Sequence, residues 1–446
     1  QNLLIHDVHG NVYDKHMNNG GIYMTALQPA DETATGAARF ADVLVEGNRF
    51  KRIASEIAGE ADRVIDAGGR KALIPPFYNT HTHAAMTLLR GYADDMELFT
   101  WLNDYIWPAE AKLTEEDVYC GTRLAILEMI RSGTVFFSDM YWHQRGAVRA
   151  AEEMGVRAAI GLLYLSGSDG EVLERNRRSN EELLASRGGN SGRIQITYAP
   201  HAIYTVSEPV LRRIAEEARA NDLAIHIHAS ETSREVEECK AAHDGLTPIE
   251  YLDRLGILGR RTVLAHCTHL TDHDIELIRE RRAVIAHMPC SNMKLCSGAF
   301  RFHDAFDLAG CRVTIGTDGA SSNNNLSMLD EMKFAALLAK HESGLPTAAR
   351  DADVFNLATR CGAEAYGIDA GVIAEGKLAD ALLVKLDHPQ MTGDYNLVAN
   401  LVYSADSSVI DTVVCDGRVL MESGRIENET EILEQARACC RKLGRS

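Results

Sequence analysis

Eight short apolar runs, separated by amphipathic stretches, constrain the fold more than any other feature of this sequence. They span residues 72–78, 135–140, 157–165, 194–200, 223–228, 262–266, 283–287 and 312–318. Each has the length of a buried strand rather than of a core helix. The segments 117–130, 210–220 and 274–279 between them carry apolar residues at helical spacing. Thr205 with Glu208 reads as a capping box ahead of the second, and Thr271 opens the third. Strand and helix alternating eight times predict a parallel (β/α)8 TIM-like barrel. An open doubly wound sheet would need a glycine-rich phosphate turn after its first strand, and none follows residue 78.

The flanks differ from the barrel. Residues 41–50 read as a strand, a turn at Gly47-Asn48 and a return strand, and 63–69 as a further strand. Segment 11–36 is polar and supports no assignment. Beyond the eighth run come helical stretches over 326–340 and 352–366, short strands within 371–384, a hairpin over 409–415 and 418–421, and a helix over 429–443. The simplest organisation joins the two β-rich ends into one small β-sandwich. Residues 1–71 form its N-terminal part, 72–370 the metal-dependent barrel, and 371–446 its C-terminal part with a terminal helix. A chain of 446 residues has enough apolar surface for both units.

The formal net charge of −18 argues against a nucleic-acid backbone or an anionic membrane as partner. No apolar stretch approaches the ~20 residues that span a bilayer. The N-terminal residues Gln1 to His6 do not read as a signal peptide. Ten cysteines follow no disulfide framework, and Cys290 and Cys296 lack zinc-ribbon spacing. Reduced thiols, a cytoplasmic location and a small-molecule substrate are the resulting expectations.

In a (β/α)8 barrel, functional side chains stand at the C-terminal ends of the strands. Here those ends carry His81 and His83, His201, His228 followed by Glu231, His266, His287, and Asp318. His81 and His83 are two residues apart, so an extended chain points both imidazoles to one side. Chance could place one such pair; it does not readily place metal-binding side chains on six strand ends. Three imidazoles and one carboxylate suit a single zinc with an open water position, and zinc lowers that water's pKa to about 7. Segment 193–201 holds no lysine to bridge a second metal. His226 reads as a packed core residue, His269 and His273 as surface residues, and His287 as either pocket wall or support. A cytidine-deaminase type of zinc site needs His-x-Glu and Pro-Cys-x-x-Cys, and neither occurs.

The most specific stretches are Asn79 to Gly91, Trp107-Pro108-Ala109-Glu110, His228-Ala229-Ser230-Glu231-Thr232, Ser291-Asn292-Met293-Lys294-Leu295 and Gly316 to Asn324. Together they resemble the amidohydrolase superfamily, and within it the S-adenosylhomocysteine/5'-methylthioadenosine deaminases, relatives of triazine hydrolases. The resemblance implies a metal-dependent hydrolytic deaminase that converts a 5'-modified adenosine to the inosine analogue and ammonia. The alternative it leaves is a related enzyme acting on guanine, a pterin or a triazine.

It further implies that His81, His83, His228 and Asp318 hold one Zn2+ per subunit, with Fe2+ or Mn2+ as alternatives. Glu231 would shuttle protons at the purine, His266 would orient and polarise the attacking hydroxide, and Asp318 would take its proton. Glu110 would accept hydrogen bonds from the ribose hydroxyls, and His201 would also touch substrate. The family's arginine for an amino-acid tail follows the third strand; here 158–165 ends without one, and Arg175, Arg177 and Arg178 come later in a helical stretch. The 5'-substituent therefore stays open. Barrels of this size often associate, which makes a homo-oligomer a further expectation.

Overall fold

The computed structural model describes residues 2–10, 39–58, 61–165, 170–187, 191–393 and 395–444. Five strands precede the barrel: β1 (Asn2–Gly10), β2 (Arg39–Glu46), β3 (Arg49–Ala54), β4 (Arg63–Asp66) and β5 (Lys71–Ile74). The expected Gly47-Asn48 turn joins β2 to β3, with Gly47 at φ 63°. The unassigned segment 11–36 lies outside the described residues.

The barrel strands are β6 (Phe77–Thr82), β7 (Thr134–Asp139), β8 (Arg157–Tyr164), β9 (Ile194–Pro200), β10 (Ala224–Ala229), β11 (Thr262–His266), β12 (Val284–His287) and β13 (Arg312–Ile315). They form one eight-stranded sheet in sequential order, with every registered pairing parallel. Side-chain and backbone hydrogen bonds complete the seam between β6 and β13. Thr80 Oγ1 meets Thr314 Oγ1 at 2.8 Å, Asn79 Nδ2 donates to Thr317 Oγ1 at 2.7 Å, and Asp318 N donates to His81 O at 3.0 Å. Gly316 permits this approach, because a Cβ there would stand 2.8 Å from His81 N.

The first expected barrel run is divided. Pro75 and Pro76 carry no N–H for a ladder. The chain before them, β5, pairs antiparallel with β14 (Ala381–Lys385), while the chain after them enters the barrel as β6. With β15 (Ile410–Cys415) and β16 (Arg418–Met421), the terminal strands are connected in the order β16-β15-β14-β5-β1-β2-β3, with β4 beside β1. The far end of this path returns to the chain entering β14, where Phe50 N donates to Lys377 O at 3.0 Å and Gly376 N to Phe50 O at 2.8 Å. Ile5, Val43, Phe50, Leu73, Leu383 and Val414 form a core separate from the barrel's. Burying each such side chain contributes about 1.5–3 kcal/mol.

A charged cluster seats the barrel on this terminal sheet. Arg157, the first residue of β8, donates to Asp380 Oδ2 at 2.8 Å and to Asp416 Oδ1 at 2.7 Å. Tyr78 OH on β6 donates to Asp380 Oδ2 at 2.9 Å, and Asp416 N to Asp380 Oδ1 at 2.7 Å. The Asp380 side chain is fully buried.

Helix Glu115–Arg131 starts at Thr114 in a capping box with Asp117, and Thr271 caps helix Asp272–Arg281 in the same way. The expected box of Thr205 with Glu208 does not form. Ser207 precedes helix Glu208–Asn221, and Thr205 Oγ1 instead bonds His201 Nδ1 at 2.9 Å and accepts from Ala202 N at 3.1 Å. The helix expected over 352–366 is broken at Thr359 into Asp351–Ala358 and Arg360–Ala365. Helix Glu429–Leu443 matches its expected range and lies against Arg123, which donates to Gln435 Oε1 at 2.8 Å. Among the described residues no helix is long and apolar enough to cross a membrane.

Candidate active site

The strand ends gather the predicted metal-binding side chains at the C-terminal mouth of the barrel. His81 belongs to β6 and His83 follows it; His228 lies in β10, His266 ends β11, and Asp318 follows β13. His81 is fully buried, and His228, His266 and Asp318 are nearly so. Donor atoms of His81, His83 and His228 lie within 4.8 Å of one another, as do those of His81, His266 and Asp318. Asp318 Oδ1 is 3.5 Å from His81 Nε2 and 3.3 Å from His83 Nε2.

One ring nitrogen of each imidazole is already engaged. His83 Nδ1 lies 2.7 Å from Met140 O, and His228 Nδ1 2.8 Å from His201 O. A carbonyl only accepts, so Nδ1 carries the hydrogen in both rings and Nε2 presents its lone pair to the centre. His81 Nδ1 is 2.8 Å from His226 Nε2, whose own Nδ1 is 3.1 Å from Ser138 Oγ. His266 Nδ1 is 2.8 Å from Asn292 Oδ1. His81 Nε2 is left buried without a hydrogen-bond partner.

Burial favours the neutral form of these rings. It pulls His81 down to about 4 and His201 to about 3, and takes His228 well below the usual imidazole range. Burial pushes the Asp318 carboxyl up, but the adjacent imidazoles of His81, His83 and His266 outweigh it and hold the group well below its ordinary value. Neutral imidazole nitrogens, an ionised carboxylate and one orphaned buried nitrogen fit a divalent metal. The separations of 3.3 and 3.5 Å match the edge of a tetrahedron whose bonds are about 2.0–2.1 Å.

Further polar groups stand around this cluster. Glu231 Oε2 lies 3.7 Å from His266 Nε2, and Ser297 Oγ donates to Glu231 Oε1 at 3.2 Å. Burial raises the Glu231 pKa. It lowers that of His266, but the charges of Glu231 and Asp318 more than reverse this. Ser291 Oγ donates to Asp318 Oδ2 at 2.5 Å. Both Ser291 and Asn292 come from helix Pro289–Lys294, directly after β12.

His201 lines the pocket beside His228, with ring centroids 4.7 Å apart. Glu110, at the end of the short helix Trp107–Glu110, reaches the same pocket from its other side. Trp142 Nε1 donates to Glu110 Oε2 at 3.3 Å, whereas Glu110 Oε1 and Tyr141 OH are buried near each other without a well-formed hydrogen bond. The pocket has apolar walls from Leu98, Trp101, Leu102, Leu163, Leu165 and Leu295.

All eight predicted site residues border this pocket except His81, which lies beneath its floor. His287 is not in its lining; it packs against Phe300 at a centroid distance of 4.9 Å. His226 is a buried core residue, as expected, yet it also orients His81. His269 is not an ordinary surface residue, because its Nε2 donates to Ser297 O at 2.6 Å and holds the loop that bears Ser297. Tyr141, Asn292 and His226 are functional candidates that the sequence reading missed. The Ser291-Asn292 motif after the seventh strand was the available signal for one of them.

A sequence profile of the amidohydrolase family matches residues 72–420. The chain is 45% identical over 431 residues to the 5'-deoxyadenosine deaminase of Methanothermobacter thermautotrophicus, covering 96% of this chain and 100% of that protein. It is 46% identical over 409 residues to 5-methylthioadenosine/S-adenosylhomocysteine deaminase 1 of Archaeoglobus fulgidus, covering 90% and 96%. Among solved structures, a zinc-bound adenosine deaminase from Xanthomonas campestris superposes with a TM-score of 0.89 at 29% identity, covering 100% and 99% of the two chains.

Proposed function

The chain belongs to the amidohydrolase family, and from that premise we propose that it is a metal-dependent hydrolytic deaminase converting a 5'-modified adenosine to the inosine analogue and ammonia. One observation carries the nucleoside part of this reading. Glu110 and Tyr141 are buried beside each other in the lining of the pocket that holds the histidine cluster, and neither Glu110 Oε1 nor Tyr141 OH has a well-formed hydrogen bond. A buried group left unsatisfied costs stability unless a ligand completes it. A vicinal diol does so, with hydroxyls that donate to Glu110 and exchange a hydrogen bond with Tyr141. The deaminase names of the two archaeal relatives support the same assignment.

His81, His83, His228 and Asp318 would hold the metal, with zinc favoured by three imidazoles and one carboxylate. A metal held there would lower the pKa of a water and so supply the nucleophile. His266, with Nδ1 fixed by Asn292, presents Nε2 to that water and orients it toward C6 of the purine. Asp318 takes a proton from the water. Glu231, whose pKa burial raises, donates a proton to N1, so that the ring accepts electron density while C6 becomes tetrahedral. Return of a proton to the exocyclic amine lets ammonia leave. His201 and the apolar walls flank the substrate. Those walls favour a compact apolar 5'-group such as 5'-deoxy or 5'-methylthio over a zwitterionic tail.

Glu231→Gln keeps the shape of the side chain and removes the ionisable proton. Its kcat is expected to fall by about 10²–10⁴-fold with bound metal unchanged. Near-wild-type turnover in that variant would remove Glu231 from the mechanism. Ammonia release is best measured on 5'-deoxyadenosine, 5'-methylthioadenosine, S-adenosylhomocysteine, adenosine and guanine, and chloride release on a chlorotriazine, with metal content determined on the same sample. Activity confined to guanine or the triazine would leave the metal site standing and sink the nucleoside assignment.

A further inference from the structure

Glu231 follows a backbone conformation that its own sequence does not favour. Ser230, directly before it, has φ 52°, in the left-handed region where a side chain is strained. The turn is held from two sides. Thr268 Oγ1 donates to Glu231 O at 2.6 Å, and His269 N donates to Ser230 O at 3.0 Å. On the other side stands Glu235, with only 2% of its surface exposed. Its Oε1 accepts from Ser230 N at 3.1 Å, and its Oε2 accepts from Glu231 N at 2.8 Å.

The placement of Glu235 departs from local habit. Thr232 caps helix Ser233–Ala242 by accepting from Glu235 N at 3.1 Å. Glu235 is therefore the third residue of that helix, from which a glutamate ordinarily reaches back to the N-cap N–H. Here its carboxylate reaches past Thr232 and spans the two preceding N–H groups. Both oxygens are used on the one turn that carries Glu231.

We propose that Glu235 is a positioning residue for the reaction: by bridging the N–H groups of Ser230 and Glu231, it holds the strained turn that aims the Glu231 carboxyl at the substrate. The inference rests on Glu231 acting as the proton shuttle. Glu235 makes no contribution to metal binding and does not line the substrate pocket.

Glu235→Gln tests this, because an amide offers one acceptor oxygen where two N–H groups require two. The expected result is a loss of about 10–100-fold in kcat, the scale of a misplaced catalytic group, with KM within twofold, metal content and melting temperature retained. Adding Glu235→Gln to Glu231→Gln should lower the residual single-turnover rate by less than twofold, since the aimed group is already gone. Wild-type kcat in Glu235→Gln, or a fully additive loss in the double variant, overturns the proposal. Should Glu235→Gln fail to fold, the shorter carboxylate of Glu235→Asp serves in the same cycle. Loss of folding or metal in both variants would reassign Glu235 to general stability and also overturn it. Activity surviving in Glu231→Gln alone would instead defeat the reading of Glu231, so the two failures are distinguishable.

Discussion

Buried charge occurs at both ends of the barrel, and the two ends treat it differently. At the N-terminal end, Arg157, Asp380, Asp416 and Tyr78 interlock, and both Asp380 oxygens accept hydrogen bonds. At the C-terminal end, His81 Nε2, Glu110 Oε1 and Tyr141 OH are buried without a well-formed hydrogen bond. A protein interior rarely leaves such groups orphaned. The Arg157–Asp380 cluster joins two units of the fold; the cluster at the mouth lines a pocket and is shaped for something that arrives later.

The sharpest way to break that comparison is to remove the metal. Exhaustive chelation is expected to abolish ammonia release and lower the thermal midpoint, and added zinc should restore both. Full activity in metal-free protein would make the cluster at the mouth structural after all.

Asp380→Ala addresses the other end. It leaves Arg157 buried with a single carboxylate partner, so a destabilisation of about 3–5 kcal/mol is expected, read as a shift in the denaturant midpoint. The folded fraction should keep the wild-type KM and metal content. A selective change in KM would mean that the two ends are not independent.

Within the pocket, Glu110→Ala should raise KM for ribosyl substrates by about 10–100-fold, from charge-assisted hydrogen bonds of about 1.5–3 kcal/mol. Turnover of any substrate without a ribose should be spared. Tyr141→Phe is the smallest change, worth about 1 kcal/mol and so about fivefold in kcat/KM. If 2'- and 3'-deoxy analogues lose as much as the parent nucleoside, Tyr141 does not read the diol.

Much of this architecture was legible before any coordinates. The second to seventh barrel strands coincide with their apolar runs to within a residue, because a strand buried on both faces must be apolar over a short length, whereas the first run holds most of β5 and only the start of β6, and the eighth continues past β13 to Asp318. The site was legible through the same strands, since parallel barrels carry chemistry at one end and the histidines fell there. What stayed hidden depended on partners distant in sequence. His226 lies 145 residues from His81, the ring it orients. Thr205 looked like a helix cap, yet it serves His201. Glu235 has the spacing of a capping-box glutamate and instead spans the turn before the cap.

Residue type and periodicity by themselves determined the strands, their parallel order and the set of side chains at the barrel mouth. These follow from the chain's local chemistry and from the direction in which each strand must run. The tertiary structure decided which nitrogen of each imidazole faces the centre, which buried atoms remain unpartnered, and which carboxylate lines the pocket and which accepts from a backbone turn. Those properties depend on angles and contacts between segments brought together only by folding, and no single stretch of sequence contains them.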